Sequence, residues 1–315
     1  MKLLNDKIPF ESKVYLPKLE REVATIFDYL VVRFPHLGQD ILAKRIEAGK
    51  LFFSDKTPIL LTTPYQYGIT IFYYRESDQE LEIPVEEKII FQNQEIIVVD
   101  KPHFIPVTPA GKYVNECLLS RLIHKYENID LSPVHRLDRE TAGLVIFSKK
   151  QKNRHLYHKL FQEKQINRKY YAVCHIKDKV EQKEWIVENR IVSGEPWYRM
   201  KIEPGHGQAN ATTYIKLLDR KGCRGLFLLE PKTGKKHQLR LHLSSLGFNI
   251  VNDSLYPNIV NPIINPINPI NPIINPQTYS NPMQLLAQQL SFQDPITGEF
   301  FEFFSQQHLD WPTLI

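Results

Sequence analysis

The stretch Ser132-Pro-Val-His-Arg-Leu-Asp-Arg-Glu-Thr-Ala-Gly-Leu-Val-Ile-Phe-Ser148 decides the reading of the whole chain. Its second half, from Leu144, is apolar, β-branched and of strand length, with no charge to hold it at the surface. Directly ahead stand His135, Arg136, Asp138, Arg139, Glu140 and Thr141. A carboxylate carried into the approach of a buried strand costs several kcal/mol, roughly, unless it is paired and hydrogen-bonded. Arg136 and Arg139 flank Asp138, which predicts a carboxylate kept ionised among guanidinium groups. Taken alone, the same residues also read as an ordinary charged turn entering a strand.

Upstream, Ile96 to Val99 is a second apolar run, continued by Asp100-Lys101-Pro102 and a loop stiffened by Pro102, Pro106 and Pro109. Downstream, Tyr170 to His175 and Leu226 to Glu230 predict strands. The second of these leads into Pro-Lys-Thr-Gly-Lys-Lys-His-Gln-Leu-Arg-Leu-His242. There Leu239, Leu243 and Leu246 share a helical face, and Gly247 ends the helix. His237 and His242 lie about 140° apart on a helix, whereas zinc pairs use a four-residue spacing, so no metal is expected. Between the two motifs, Lys149 to Lys169 holds eight Lys/Arg against the single acid Glu163. Leu156, Leu160 and Phe161 recur there at helical spacing. The run is read as a phosphate-backbone track in preference to a solvated helix face.

Residues 135–144 resemble, position by position, the signature His-Arg-Leu/Ile-Asp-x-x-Thr-Ser/Ala-Gly-Leu of the RluA family of pseudouridine synthases. Those enzymes convert selected uridines of ribosomal or transfer RNA to pseudouridine. The family's Asp-Lys-Pro strand end and Val-x-Pro loop are matched by Asp100 to Pro109. Its Lys-x-Tyr-x-Ala is matched by Arg168, Tyr170 and Ala172, and its Thr-Gly-Arg-x-His-Gln-Ile-Arg-x-His by residues 233–242, with Lys235 in place of Arg. The usual Gly-Asp that follows is Asn252-Asp253, a departure that bears on the geometry of that turn.

The resemblance implies an α+β fold with a mixed, largely antiparallel sheet. It implies Asp138 as the catalytic aspartate, Arg240 as its partner, Tyr170 beneath the target base and Arg136 in the space left by the flipped uridine. His135, Thr141, Lys101, Lys235, His237 and Gln238 are expected to bind substrate. No cofactor is expected. The carboxylate's role, covalent attack on the sugar or base catalysis upon it, stays open.

At 315 residues the chain suits a small and a large domain. Thr25 predicts a helix cap, with Phe27, Leu30, Val31 and Phe34 on one face until Pro35. A second helix, Ile41 to Ala48, stops at Gly49, and Leu51–Phe53 and Ile69–Tyr74 read as strands. This N-terminal module, set at 1–85, resembles the alpha-L RNA-binding module of the ribosomal protein S-four type; a generic helical cap is the alternative. Six acids between Glu76 and Glu87 predict a solvated connector. The catalytic domain is set at 86–315. Within it Asn-Pro recurs at 261, 265, 268, 271, 275 and 281, an inserted loop set at 258–282 that neither helix nor ladder can absorb.

Lys+Arg of 40 against Asp+Glu of 35, a formal charge of +5, is compatible with an RNA partner. Cys117, Cys174 and Cys223 have no metal-ligand spacing and form no even set, which favours a reducing cytosol. With no signal-peptide layout and no apolar run of about 18 residues, a soluble, cytoplasmic monomer without a membrane partner is expected. Two other readings compete with RNA uridine isomerisation. One is a catalytically silent RNA-binding protein of the same fold, which loss of Asp138, Tyr170 or Arg240 would have marked. The other is an RNA hydrolase using His135 and His237, which lacks a metal-ligand set.

Overall fold

The computed structural model describes residues 10–74, 80, 82–111, 113–176, 180–205, 207–259 and 279–311; most of the Asn-Pro insert lies outside the described residues. The chain divides after Glu80 into two units.

In the first unit, strand β1 (Glu11–Tyr15) precedes helices α1 (Ile26–Arg33) and α2 (Gln39–Glu47) and strands β2 (Leu51–Phe52) and β3 (Thr70–Tyr74). Thr25 starts α1 through a reciprocal box. The Asp28 amide donates to Thr25 Oγ1 at 3.1 Å, and the Thr25 amide to the Asp28 carboxylate at 3.0 Å. The strands form an antiparallel sheet in the order β1-β3-β2, over a core that includes Leu16, Ile26, Leu30, Leu42, Ile46 and Ile71. The two helices and the β2–β3 pair match the sequence pattern. β1 does not appear in it, because Glu-Ser-Lys-Val-Tyr buries no side chain fully and so carries little apolar alternation.

The second unit runs β4 (Lys88–Gln92), β5 (Ile96–Lys101), α3 (Leu118–Tyr126), β6 (Ser132–Pro133), β7 (Ala142–Ser148), α4 (Arg154–Gln162) and β8 (Ile166–His175). It continues with β9 (Glu184–Asn189), β10 (Ile191–Ser193), β11 (Met200–Ile202), β12 (Ala211–Lys221), β13 (Arg224–Pro231) and α5 (Gln238–Ser245). β14 (Asn249–Ile250), β15 (Leu285–Gln293) and β16 (Phe300–Phe304) complete it. One sheet has the order β4-β5-β7-β15-β8-β13-β12-β9, with β6, β14 and β16 attached to β7, β8 and β15. Its pairings are antiparallel except that β15 runs parallel to β7. The architecture is therefore α+β with a mixed, largely antiparallel sheet.

The boundary between units falls earlier than 85. Ile83 is buried against Ile105 and Tyr113. Arg121 of α3 donates to the carbonyls of Ile83 at 2.7 Å and Val85 at 2.5 Å. The last residues of the acidic segment are thus bound into the second unit.

Gly143 is where the sheet needs a glycine. It has φ of +112°, and a Cβ there would stand 2.3 Å from the Ala287 carbonyl oxygen. Its absence lets β7 close on β15. Gly143, Ala287 and Tyr170 then form one row across three strands, which sets the start of β7 about 10 Å from Tyr170. α4 covers this part of the sheet with Tyr157 and Leu160, which pack among Val98, Leu144, Ile146, Leu290 and Phe292. Tyr157, rather than the expected Leu156, completes the buried stripe, and its hydroxyl donates to Asp294 at 2.8 Å.

Candidate active site

Asp138 lies on the loop between β6 and β7, where the Thr141 amide donates to its carbonyl at 3.1 Å and closes a turn. Its side chain is 27% exposed, so a ligand can reach the carboxylate. Arg240 reaches it from α5: Nη1 donates to Asp138 Oδ2 at 3.3 Å. The other edge of that guanidinium is held by Asp253, with Nε at 2.8 Å from Oδ2 and Nη2 at 2.6 Å from Oδ1. Burial works against the charge of Arg240, but the bonds and charge of Asp253, then Asp138 and Glu140, more than offset it and push the guanidinium's pKa upward.

The flanking arginines do not do what their positions in sequence suggest. Arg139 turns to Glu140, with Nε at 2.9 Å and Nη2 at 2.7 Å from Oε1. Burial would raise the Glu140 carboxyl, yet Arg139 and Arg240 together hold it at about 2. Arg136 is exposed. The guanidinium on Asp138 therefore comes from a residue 102 positions away.

His237 sits at the start of α5 with φ of +57°. Its Nδ1 bonds the Tyr256 hydroxyl at 2.8 Å, and its Nε2 stands 4.0 Å from Asp138 Oδ2. Burial pushes the ring down to about 4 against the pull of Asp138, so it is neutral near pH 7. Tyr170 is buried on β8, and burial raises its phenol, which stays protonated. Asp138, Arg240, His237 and Tyr170 are the expected residues that come together; Lys236, also near Asp138, has its ammonium pKa lowered by burial.

The remaining expected residues build the frame. Lys101 is fully buried and donates to the carbonyls of Pro102, Ile105 and Arg139 at 2.9, 2.9 and 3.1 Å. Burial lowers it to about 7. With all three donors engaged it is a strut beneath the Asp138 loop, and the expected contact with substrate has no atom left to make it. His135 is likewise engaged: its Nε2 accepts from the Ile146 amide at 3.2 Å and its ring stacks on Phe161 at 4.7 Å. Burial pushes it to about 3. Gln238 ties four groups, Thr233 Oγ1, the Lys235 amide, the Thr212 carbonyl and Thr213 Oγ1, at 2.8 to 3.0 Å. Thr141 is buried and Lys235 exposed. α5 is buried on every side from Gln238 to Leu243, not on one leucine face. It can be, because His242 bonds Thr213 Oγ1 at 2.9 Å and Asn189 Oδ1 at 3.1 Å.

The basic run is less of a track than its charge implies. Lys149 donates to the Asn93 carbonyl at 2.8 Å, Lys150 to Glu95 at 2.5 Å, and Arg154 to the Asp130 carbonyl at 2.9 Å. Arg168 donates to the carbonyls of Pro231 and Thr233, both at 3.2 Å. Lys152 and Lys164 are exposed.

Sequence reasoning left out Asp253, Glu140 and Tyr256. Asp253 had a signal: it ends the Asn252-Asp253 pair that replaces Gly-Asp, and Asn252 adopts φ of +63°, a conformation Asn tolerates better than most residues. Tyr256 had none, since nothing local distinguishes it. Among the described residues no cluster of His, Cys, Asp and Glu could hold a metal, and no helix is long and apolar enough to cross a membrane.

Residues 95–245 match the family model described as RNA pseudouridylate synthase. An uncharacterized RNA pseudouridine synthase of Synechocystis sp. is 30% identical over 234 residues, covering 73% of this chain and 79% of that protein. A ribosomal large subunit pseudouridine synthase C of Rickettsia bellii is 33% identical over 68% of this chain and 69% of its own. The solved structure of human RNA pseudouridylate synthase domain containing 1 superposes with a TM-score of 0.55 at 20% identity, covering 73% of this chain and 86% of that one, a likeness of fold.

Proposed function

The chain belongs to the RNA pseudouridylate synthase family, and from that premise we propose that Asp138 acts on a ribosomal or transfer RNA uridine turned out of its stack. The enzyme is an isomerase that converts uridine to pseudouridine in RNA. In that reaction the bond from the ribose C1′ to uracil N1 breaks, the base turns, C1′ joins C5, the C5 proton leaves, and N1 takes up a proton. Atoms balance without a cofactor.

The observation that carries the assignment is a partly exposed carboxylate aligned by one long hydrogen bond from a buried arginine. Such a carboxylate can attack the sugar or remove a proton from it. Neutral His237 adds no competing charge. Tyr170, held as the phenol, offers a flat surface under the base, and exposed Arg136 is free to enter the space the uridine leaves. His135, Lys101, Thr141 and Gln238 fix the loop and helix that present these groups.

The buried Cys117 and Cys174 support a reducing, cytoplasmic setting. The Rickettsia relative is named for the ribosomal large subunit, and a mitochondrial tRNA pseudouridine(32) synthase of Saccharomyces cerevisiae, 27% identical over 238 residues, for transfer RNA; those names support the two substrate classes. Mapping pseudouridines in both RNAs, with and without this protein, identifies the target. Asp138→Asn tests the site: it should fold, bind RNA and form no detectable pseudouridine. Turnover in that variant would remove Asp138 from the chemistry.

A further inference from the structure

Arg240 has two carboxylates within reach and divides itself unequally between them. Asp253 takes the Nε/Nη2 edge at 2.8 and 2.6 Å, one bond to each oxygen, whereas Asp138 receives Nη1 alone at 3.3 Å. The paired edge is the tighter geometry. Asp253 is itself immobilised: its Oδ1 also accepts the amides of Leu255 at 2.8 Å and Tyr256 at 3.1 Å. The side chains of Arg240 and Asp253 are each 1% exposed, against 27% for Asp138. The Tyr256 ring lies 5.3 Å from the Arg240 guanidinium carbon and its hydroxyl holds His237. The turn at Asn252–Tyr256 thereby grips the arginine on the side away from the loop.

A guanidinium without that grip would present its fork to Asp138. A carboxylate bound at both oxygens by a guanidinium is a better stabilised anion, and for that reason a poorer nucleophile and base. We propose that Asp253 is a positioning residue that holds the fork of Arg240 away from Asp138, so that the carboxylate is aligned by a single hydrogen bond and keeps its reactivity. This rests on the assignment of Asp138 and Arg240 made above. It accounts for a second carboxylate, this one buried, where one would neutralise the arginine.

The test uses the full chain and an RNA substrate located by mapping. Asp253→Asn keeps the shape and can still accept the Leu255 and Tyr256 amides, but it lacks the charge and cannot accept from both Nε and Nη2. kcat should fall about 10²-fold with KM little changed, as for a reacting group displaced by about 1 Å. The acidic limb of the kcat profile should move to lower pH, because the whole positive charge now faces Asp138. Asp253→Glu, which restores the charge, should recover part of kcat and return the limb towards its original position. A wild-type kcat in Asp253→Asn overturns the proposal. So does a lowered kcat with an unmoved limb, which a structural role alone would give.

If the Asp253 variants do not fold, the crystal structure of Asp138→Asn decides. Arg240 should remain on Asp253 at its present distances; a guanidinium that leaves Asp253 when Asp138 is neutralised overturns the proposal. Activity of Asp138→Asn separates the two failures, since an active Asp138→Asn sinks the site assignment and an inactive one leaves only Asp253 in question.

Discussion

Two charged segments flank β7, and they put their charges to different use. The loop before it carries Asp138, Arg139 and Glu140 in half-buried positions, where each is bound to another ionised side chain. The run after it carries far more charge, yet Lys149, Arg154 and Arg168 donate to main-chain carbonyls and Lys150 meets Glu95 near the surface. Counting charges ranks the second segment higher; desolvation ranks the first. A carboxylate and guanidinium removed from water interact strongly and cannot be separated without cost, whereas an exposed pair contributes about 0–1 kcal/mol. The segment with fewer charges is therefore the one where each charge is decisive.

Arg240→Gln should break the first region most severely. It leaves Asp253 buried without its cation, at a cost of about 3–5 kcal/mol. Thermal melting should drop by about 10 °C or more for a unit of this size, and turnover should vanish. Lys150→Gln, the counterpart beyond β7, should change melting by an amount near the error of the measurement. Equal losses from both would erase the distinction.

Gly143→Ala probes the strand the segments share. Its Cβ meets the Ala287 oxygen at 2.3 Å and its φ of +112° disfavours any side chain. A loss of about 2–4 kcal/mol in denaturant unfolding is expected, from overpacking and backbone strain together. A neutral result would mean that β7 and β15 can separate freely.

The third prediction concerns pH. Burial holds His135 at about 3 and His237 at about 4 in the folded protein, below the ordinary 6.5. On acidification the unfolded chain takes up protons from pH 6.5 downward while the folded rings remain neutral, so these two rings should lower stability between about pH 6.5 and 4 and add no slope above 7. Each ring contributes roughly 1.4 kcal/mol per pH unit within that window. Melting curves at pH 7, 6 and 5 check this; a level profile would mean that these two histidines are wetter than their packing indicates.

The smallest effect belongs to the basic run. Replacing Lys149, Lys150, Lys152 and Arg154 by Gln should barely alter kcat. Each phosphate contact actually lost should flatten the salt dependence of RNA affinity by about one unit of slope. Because three of these four side chains already have acceptors within the protein, a decrease nearer one unit than four is expected. A drop of four would restore the phosphate track in full.

The sequence determined what depends on local pattern. The apolar run after Thr141 is a fully buried strand, the Thr25 cap begins α1, and Gly49 closes α2 with φ of +67°. It also marked Asp138, Tyr170, His237 and Arg240, because a ten-residue signature together with the motifs at residues 168–172 and 233–242 is specific enough to name positions. Tertiary structure decided which charges meet. Only the fold carries Arg240 across 102 residues to Asp138 while Arg139, one residue away, faces Glu140. Only the fold shows Lys101 and Gln238 as struts, and Asp253 as the carboxylate that claims most of the arginine. The physical reason is that a charge pair's strength depends on distance, orientation and burial, and chain neighbours on a turn point apart as readily as together. Spacing along the chain fixes none of these for residues brought together by a sheet.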